Sequence, residues 1–219
     1  MAGAVVIGAG PGLGAAVARR FAREDMPVAL VARSPRVLDL ADSLNGDGLK
    51  ALPLQADSTD EKALRAALDA AVAAYGIPEV LVYNAAIIRQ DRPGELDTAQ
   101  HQQAWTVNVV GALQSAAHIA PEMARQGHGT ILLTGGMPRP DARYTSLSLG
   151  KAGIRALTQL LDEEYGPAGV HVATVTVDCH MVPGTDSDPA LVAEHYWTLH
   201  QQPRGQWQSE IVHVGSTSV

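Results

Sequence analysis

The sequence predicts a doubly wound α/β fold, a parallel sheet flanked by helices on both faces, with the whole chain, 1–219, forming one domain. Short, almost wholly apolar segments alternate with helix-length segments along the chain, as a sheet covered on both faces requires. A glycine-rich turn joins the first apolar run to the first helix. The 219 residues, 46% hydrophobic and 18% charged, suffice for a core on each side of a sheet.

Ala4–Ile7 is the first predicted strand, stopped by Gly8-Ala9-Gly10-Pro11-Gly12-Leu13-Gly14 and followed by a helix from Ala15 to Ala22. Val28–Val31 then reads as a strand, 36–44 as a helix, Ala51–Leu54 as a strand and 59–75 as an Ala/Leu-rich helix. The second half repeats the pattern: strand Val80–Tyr83, a long helix over 98–125, strand Thr130–Leu133, a helix over 146–165 and a sixth strand, Val170–Val177. Residues 208–214 read as a last edge strand. Strands separated by helix-length segments imply right-handed crossovers. The weakly patterned stretches 87–95 and 182–203 are expected as loops over the carboxyl ends of the strands, where ligands bind in such sheets.

Composition excludes several function classes. With 16 Lys+Arg against 23 Asp+Glu, a net charge of −7 and 4% aromatics, the chain lacks the electrostatic footprint and stacking platform of a nucleic-acid binder. No run approaches the ~18 apolar residues of a membrane span, and no basic segment precedes the apolar run Met1–Ile7. One cysteine, Cys179, rules out an internal disulfide framework and a Cys-rich metal site, which fits a reducing compartment, so the cytoplasm is expected. His195 and His200 lack the spacing of paired helix ligands, and no metal is expected.

The glycine turn points to a phosphate site. Gly8 permits a tight turn, Gly12 lets backbone N–H groups approach phosphate oxygens, and Gly14 allows close packing of helix on strand. Three spaced glycines alone also describe a plain strand-to-helix turn; their place in the first of a series of βα units favours nucleotide binding.

The spacing G-x-x-x-G-x-G resembles that of the short-chain dehydrogenase/reductase family, and further segments agree along essentially the whole chain. Asp57-Ser58 after the third strand resembles the family's adenine-binding segment, Asn84-Ala85-Ala86 its Asn-Ala-Gly segment, Asn108 its catalytic asparagine and Lys151 its catalytic lysine. The resemblance implies a Rossmann-type nicotinamide-binding domain that holds its cofactor through Gly8, Gly10, Pro11, Gly12, Leu13, Gly14, Asp57, Ser58, Asn84, Ala85, Ala86 and Lys151. It also implies a small-molecule substrate and a homodimer or homotetramer. A carboxylate at the end of the second strand would favour NAD(H); this chain has Ala32-Arg33-Ser34-Pro35-Arg36, so NADP(H) is expected, with Arg33 on the extra phosphate. Solvated arginines are the alternative.

The family's proton-relay residues are missing. Four positions before Lys151, where the family has tyrosine, stands Leu147, and after the fifth strand, in Thr134-Gly135-Gly136-Met137, glycine stands at both positions expected for the serine, Gly136 being taken as its replacement. Such wording resembles an atypical subgroup without the active-site tyrosine. Tyr144 lies seven residues before Lys151, about 10 Å along a helix, and reads as a half-buried aromatic. His180, in Val177-Asp178-Cys179-His180 where the family has a Pro-Gly turn beside the nicotinamide, is the candidate replacement donor. Asn108 has a structural alternative, bonding a backbone group and kinking its helix. The expected function is an NADP(H)-dependent oxidoreductase with Asn108, Lys151 and His180 as catalytic residues. The alternative is a non-catalytic cofactor-binding sensor or scaffold. The stretch 194–204, with Tyr196 and Trp197, reads as a short helix over the site or against a partner.

Overall fold

The computed structural model describes residues 2–215; Met1 and 216–219, the two ends of the expected domain, lie outside the described residues. Seven parallel strands, β1 (Ala4–Ile7), β2 (Val28–Ala32), β3 (Ala51–Gln55), β4 (Val80–Tyr83), β5 (Gly129–Gly136), β6 (Val170–Asp178) and β7 (Glu210–Val214), form one sheet in the order β3-β2-β1-β4-β5-β6-β7. The order reverses between β1 and β4, which opens a crevice at their carboxyl ends.

Successive strand residues face opposite sides. Val6, Leu30, Val82 and Val175 meet α1 (Leu13–Ala22), α2 (Arg36–Gly46) and α7 (Pro189–His200). Val5, Ile7, Leu81 and Ile131 meet α3 (Glu61–Tyr75), α5 (Gly111–Gln126) and α6 (Thr145–Tyr165). The seven strands and their wrapping helices are the predicted doubly wound fold.

Two expectations need correction. The long helix predicted over 98–125 is interrupted: α4 (Thr98–Trp105) passes into a π-helical turn, Thr106–Val110, before α5 begins. The Tyr83 hydroxyl donates to the Val107 carbonyl at 2.6 Å, supplying a partner inside the irregular turn. The stretch 182–203 is not all loop, since it contains α7, whose N-cap Asp188 accepts from the Ala190 N–H at 2.7 Å. This helix packs on α1 within the chain, with Trp197 edge-on to Phe21 at 5.7 Å and Arg20 over the Trp197 ring, and Pro189, Ala190 and Glu194 border the outer part of the crevice. The helix expected over 194–204 thus begins earlier, at Pro189, where residues apolar on several faces weaken the helical period.

At the amino ends of β5 and β6, opposite the crevice, buried His171 stacks on Trp207 at 4.9 Å. Its Nδ1 faces the Leu199 carbonyl at 3.1 Å and its Nε2 the Gln208 carbonyl at 2.9 Å. His200 Nδ1 lies 3.0 Å from the Thr130 hydroxyl. These groups line a cavity of about 190 Å³.

Candidate functional site

The glycine turn divides its labour. Gly8 has φ +86°, and a Cβ there would lie 2.4 Å from the Ala85 nitrogen; a Cβ on Gly14 would lie 2.2 Å from the Gly8 carbonyl oxygen. Both glycines are therefore required by the protein's own packing. At Gly10 and Gly12 a Cβ meets nothing within 4 Å, so the turn is open on its outer side. Helix α1 has no side-chain cap, and the N–H groups of Gly12, Leu13 and Gly14 have no acceptor among the described residues. Uncapped N–H groups at a helix start attract an anion.

Three adjoining cavities run across the carboxyl ends of the strands. The outermost, about 740 Å³, lies against Pro11, Gly12 and Arg36. It shares Gly10 and Ser34 with a second, about 300 Å³, which Gly8, Arg33, Asp57, Ser58, Ala85 and Val107 help to line. Asn84 and Ala86 border both this and a third cavity, of about 280 Å³, which holds Leu13, Gly136, Leu147, Lys151, Cys179 and His180. Of the expected cofactor residues, all but Gly14 line this trough; Gly14 sits behind it. No acid stands at the end of β2, and the Arg33 guanidinium makes no ion pair or side-chain hydrogen bond among the described residues. Asp57 accepts from the Thr59 N–H and hydroxyl, each at 2.9 Å, which shapes the loop into α3. The uncapped turn, the arginine and the length of the trough fit an extended, phosphate-bearing dinucleotide.

Asn108 does not line the trough. It is buried in the π-helical turn, and its Oδ1 accepts from the Ile87 N–H at 2.7 Å, holding the chain that leaves Ala86. In the same loop buried Asp91 accepts from the Ser146 N–H at 2.9 Å and the Ser146 hydroxyl at 2.7 Å. Asp91 thereby caps α6, which carries Leu147 and Lys151, from a distant segment.

The Lys151 ammonium donates to the Thr134 carbonyl at 2.7 Å. Burial pushes its pKa down to about 8. The Thr134 hydroxyl donates to Asn84 Oδ1 at 3.0 Å, while the Asn84 amide donates to the Gly8 carbonyl at 2.9 Å. Because the Thr134 hydrogen is committed to Asn84, the Tyr196 hydroxyl 2.7 Å away donates to Thr134. Tyr196 is fully buried, and burial raises its pKa far above the ordinary phenol value. Thr134 and Tyr196 are site-supporting residues that the sequence reading did not single out.

The two replaced glycine positions differ. A Cβ at Gly135 would lie 2.3 Å from the Thr176 hydroxyl, whereas at Gly136 the nearest atom is the Val177 carbonyl oxygen at 3.5 Å, with Lys151 Cε at 3.6 Å. Position 136 therefore faces the lysine and has room for a side chain. Arg155 donates to the Gly136 carbonyl at 3.0 Å and steadies Met137, a non-glycine residue at φ +47°. His180 is exposed at the cavity's edge, and Tyr144 is half-buried, its hydroxyl accepting from Gln90 Nε2 at 3.1 Å. Among the described residues no three His, Cys, Asp or Glu side chains gather as metal ligands, and no helix is long and apolar enough to cross a membrane.

The short chain dehydrogenase family profile matches residues 2–189. The cis-4-hydroxycyclohexanecarboxylate dehydrogenase of Sinomonas cyclohexanicum is 32% identical over 191 residues, 84% of this chain and 77% of that protein. The chain spans 66% of the length of several other curated relatives, oxidoreductases among them. A short-chain dehydrogenase structure from Rhodopseudomonas palustris superposes with a TM-score of 0.87 at 28% identity, covering 96% of this chain and 97% of that one. A metagenomic short-chain oxidoreductase in complex with NADP gives 0.87 at 25% identity and covers 96% of each chain. Family profile, relatives and fold agree with the geometry of the crevice: the chain belongs to the short-chain dehydrogenase family of nicotinamide-dependent oxidoreductases.

Proposed function

We propose that this protein is an NADP(H)-dependent oxidoreductase of a small carbonyl, imine or alcohol, from a subgroup that works without the tyrosine–serine pair. The observation that carries this reading is the continuous trough, with Arg33 and an uncapped helix start at one end and Lys151 at the other. A nicotinamide cofactor bound there supplies or accepts hydride at a substrate carbon. Gly8, Gly10, Pro11, Gly12 and Leu13 shape its phosphate site, with Gly14 packing the helix behind them. Asp57, Ser58, Asn84, Ala85 and Ala86 line the adenosine end and the passage beyond it. Arg33 grips the 2′-phosphate, for which the bidentate guanidinium is suited. Lys151 holds the nicotinamide ribose, Asn108 acts by positioning Ile87, and His180 is a second group able to offer a proton at the cavity's edge.

The third cavity is lined mainly by Leu13, Ile88, Met137, Leu147, Val177 and Met181, which supports a small, largely apolar substrate. The relative named for a hydroxycyclohexanecarboxylate supports a substrate of that size. Exposed Trp105, Leu113 and Leu149, with Val212 and Val214 on the edge strand β7, support assembly as a homodimer or homotetramer. The lone cysteine supports action in the cytoplasm, as a single domain.

Isothermal titration with NADPH and NADH, beside the Arg33→Ala variant, tests the reading. NADPH is expected to bind more tightly than NADH, and the variant is expected to lose about tenfold or more of that preference. Binding of neither nucleotide overturns it. A specific observation favours a second reading: Gly136 and Leu147 remove both hydroxyls of the family's proton relay. In that reading the bound nucleotide controls assembly with a partner, and NADPH binds without turnover of any carbonyl or imine.

A further inference from the structure

We propose that the Lys151 ammonium is itself the group that exchanges a proton with the substrate oxygen, directly and with no hydroxyl between them, and that the substrate is a neutral aldehyde or ketone. The inference rests on the oxidoreductase reading above and assigns its acid.

Access is the first argument. Gly136 sets no side chain between the lysine stem and the cavity, where a Cβ would stand 3.6 Å from Cε, and Leu147 contributes only an aliphatic side chain to the same cavity, which the buried Lys151 helps to line. Bonding capacity is the second. An ammonium has three N–H donors, and one is committed to the Thr134 carbonyl at 2.7 Å. Lys151 forms no ion pair among the described residues, so two donors remain, one for a ribose hydroxyl and one for a substrate oxygen. Rigidity is the third: the accepting strand end is fixed through the Tyr196–Thr134–Asn84–Gly8 chain of hydrogen bonds, which aims the ammonium before any ligand arrives.

The remaining groups are less well placed. His180 is exposed at the rim, Tyr144 is engaged with Gln90, and Cys179 is buried with no hydrogen-bond or ion-pair partner among the described residues. No carboxylate lines the cavity. A cationic iminium would thus meet a like charge and no counter-charge, whereas a neutral carbonyl gains a donor. A pKa of about 8, produced by burial, keeps the amine largely protonated at neutral pH and still able to release its proton, the condition for an efficient acid. In the step itself the substrate's C=O π bond breaks. Its carbon forms a C–H bond with hydride from reduced nicotinamide, and its oxygen takes the proton from Nζ. The N–H electron pair returns to nitrogen as a neutral amine, which burial favours and which regains a proton from solvent through the open rim.

The chain has only three lysines, Lys50, Lys62 and Lys151, so a titration of lysine-labelled protein followed by carbon NMR at Cε resolves each one. Lys151 is expected to titrate near pH 8, well below the ordinary lysine value of 10.5. NADPH-dependent reduction of a panel of apolar aldehydes and ketones is expected to fall on the alkaline side with the same midpoint. Lys151→Arg keeps a charge and donors but holds its proton, and is expected to reduce turnover at least about 100-fold. Calorimetry of NADPH on the same variant separates proton donation from cofactor binding. Turnover of Lys151→Arg within tenfold of the parent overturns the inference, as does a Lys151 midpoint at the ordinary lysine value of 10.5. An alkaline limb that shifts with His180→Asn instead transfers the role to His180. NADPH binding with no carbonyl turned over overturns this inference and favours the sensor reading, while failure to bind NADPH overturns the proposed function itself.

Discussion

The two ends of the sheet each bury basic side chains, and they leave them in opposite states. At the amino ends of β5 and β6, His171 has a carbonyl opposite each ring nitrogen and a tryptophan against its face, and His200 is joined to Thr130. At the carboxyl ends, Lys151 makes one hydrogen bond and faces an open cavity. Burial pushes the pKa of all three groups down, so a lowered pKa does not by itself separate structure from chemistry. The unused donor does. His171 ties the end of α7 to the segment entering β7, whereas Lys151 has hydrogen-bonding capacity left for a ligand.

The sharpest way to break this contrast is His171→Ala. The carbonyl bonded to the ring N–H loses its donor and Trp207 its stacking surface, at an expected cost of about 2–4 kcal/mol of folding stability, read by urea denaturation. NADPH affinity is expected to stay within about twofold; a larger change would join the two ends functionally. Lys151→Met is the complementary change. The folded lysine titrates near 8 and the unfolded one near its ordinary value of 10.5, so stability rises with pH between those values and the full penalty is present below them. The ligand-free variant is therefore expected to gain about 1–3 kcal/mol at pH 7. Thermal melts should show this gain shrinking as pH climbs from 8 toward 10.5.

His200 has the same pH signature, in a more acidic window. Its pKa is pushed down to about 4 by burial and by His171, from an ordinary 6.5. Its contribution is complete above pH 6.5 and is lost as pH falls through that window, about 1 kcal/mol by pH 5.5. His200→Asn, which keeps a partner for Thr130, is expected to flatten stability against pH there. The smallest effect expected is at Gly136→Ser, whose Cβ would meet no neighbour closer than 3.5 Å, and which should shift stability by less than about 0.5 kcal/mol. A large destabilisation would mean that the space above Lys151 is not open.

Much of this was legible in the sequence, and the reasons are local. The strands β1, β2 and β4 are uniform apolar runs between turn residues, and the glycine turn is read from spacing. Leu147 and Gly136 were identifiable by counting from Lys151. The roles of Thr134 and Tyr196 were not, because their hydrogen bond joins residues 62 apart in the chain. Nor does any spacing signal tell that Gly135 is walled in by β6 while Gly136 is open, a difference set by strand pairing. The start of helix α7 was hidden by its apolar, weakly periodic sequence, so that only 194–204 read as helix, and the break between α4 and α5 showed only as the kink that Asn108 allows.

That break has a consequence for how the chain tolerates changes in length. A π-helical turn holds about one residue more than an α-helical one, so removing one residue from Thr106–Val110 would restore regular hydrogen bonding by drawing the side chains of that turn into new positions. Asn108 would lose its hold on Ile87, or Trp105 its seat against Gly153, though no cavity-lining side chain had been altered. The crevice is consequently more vulnerable to a single-residue deletion in this helix than to many substitutions along its walls.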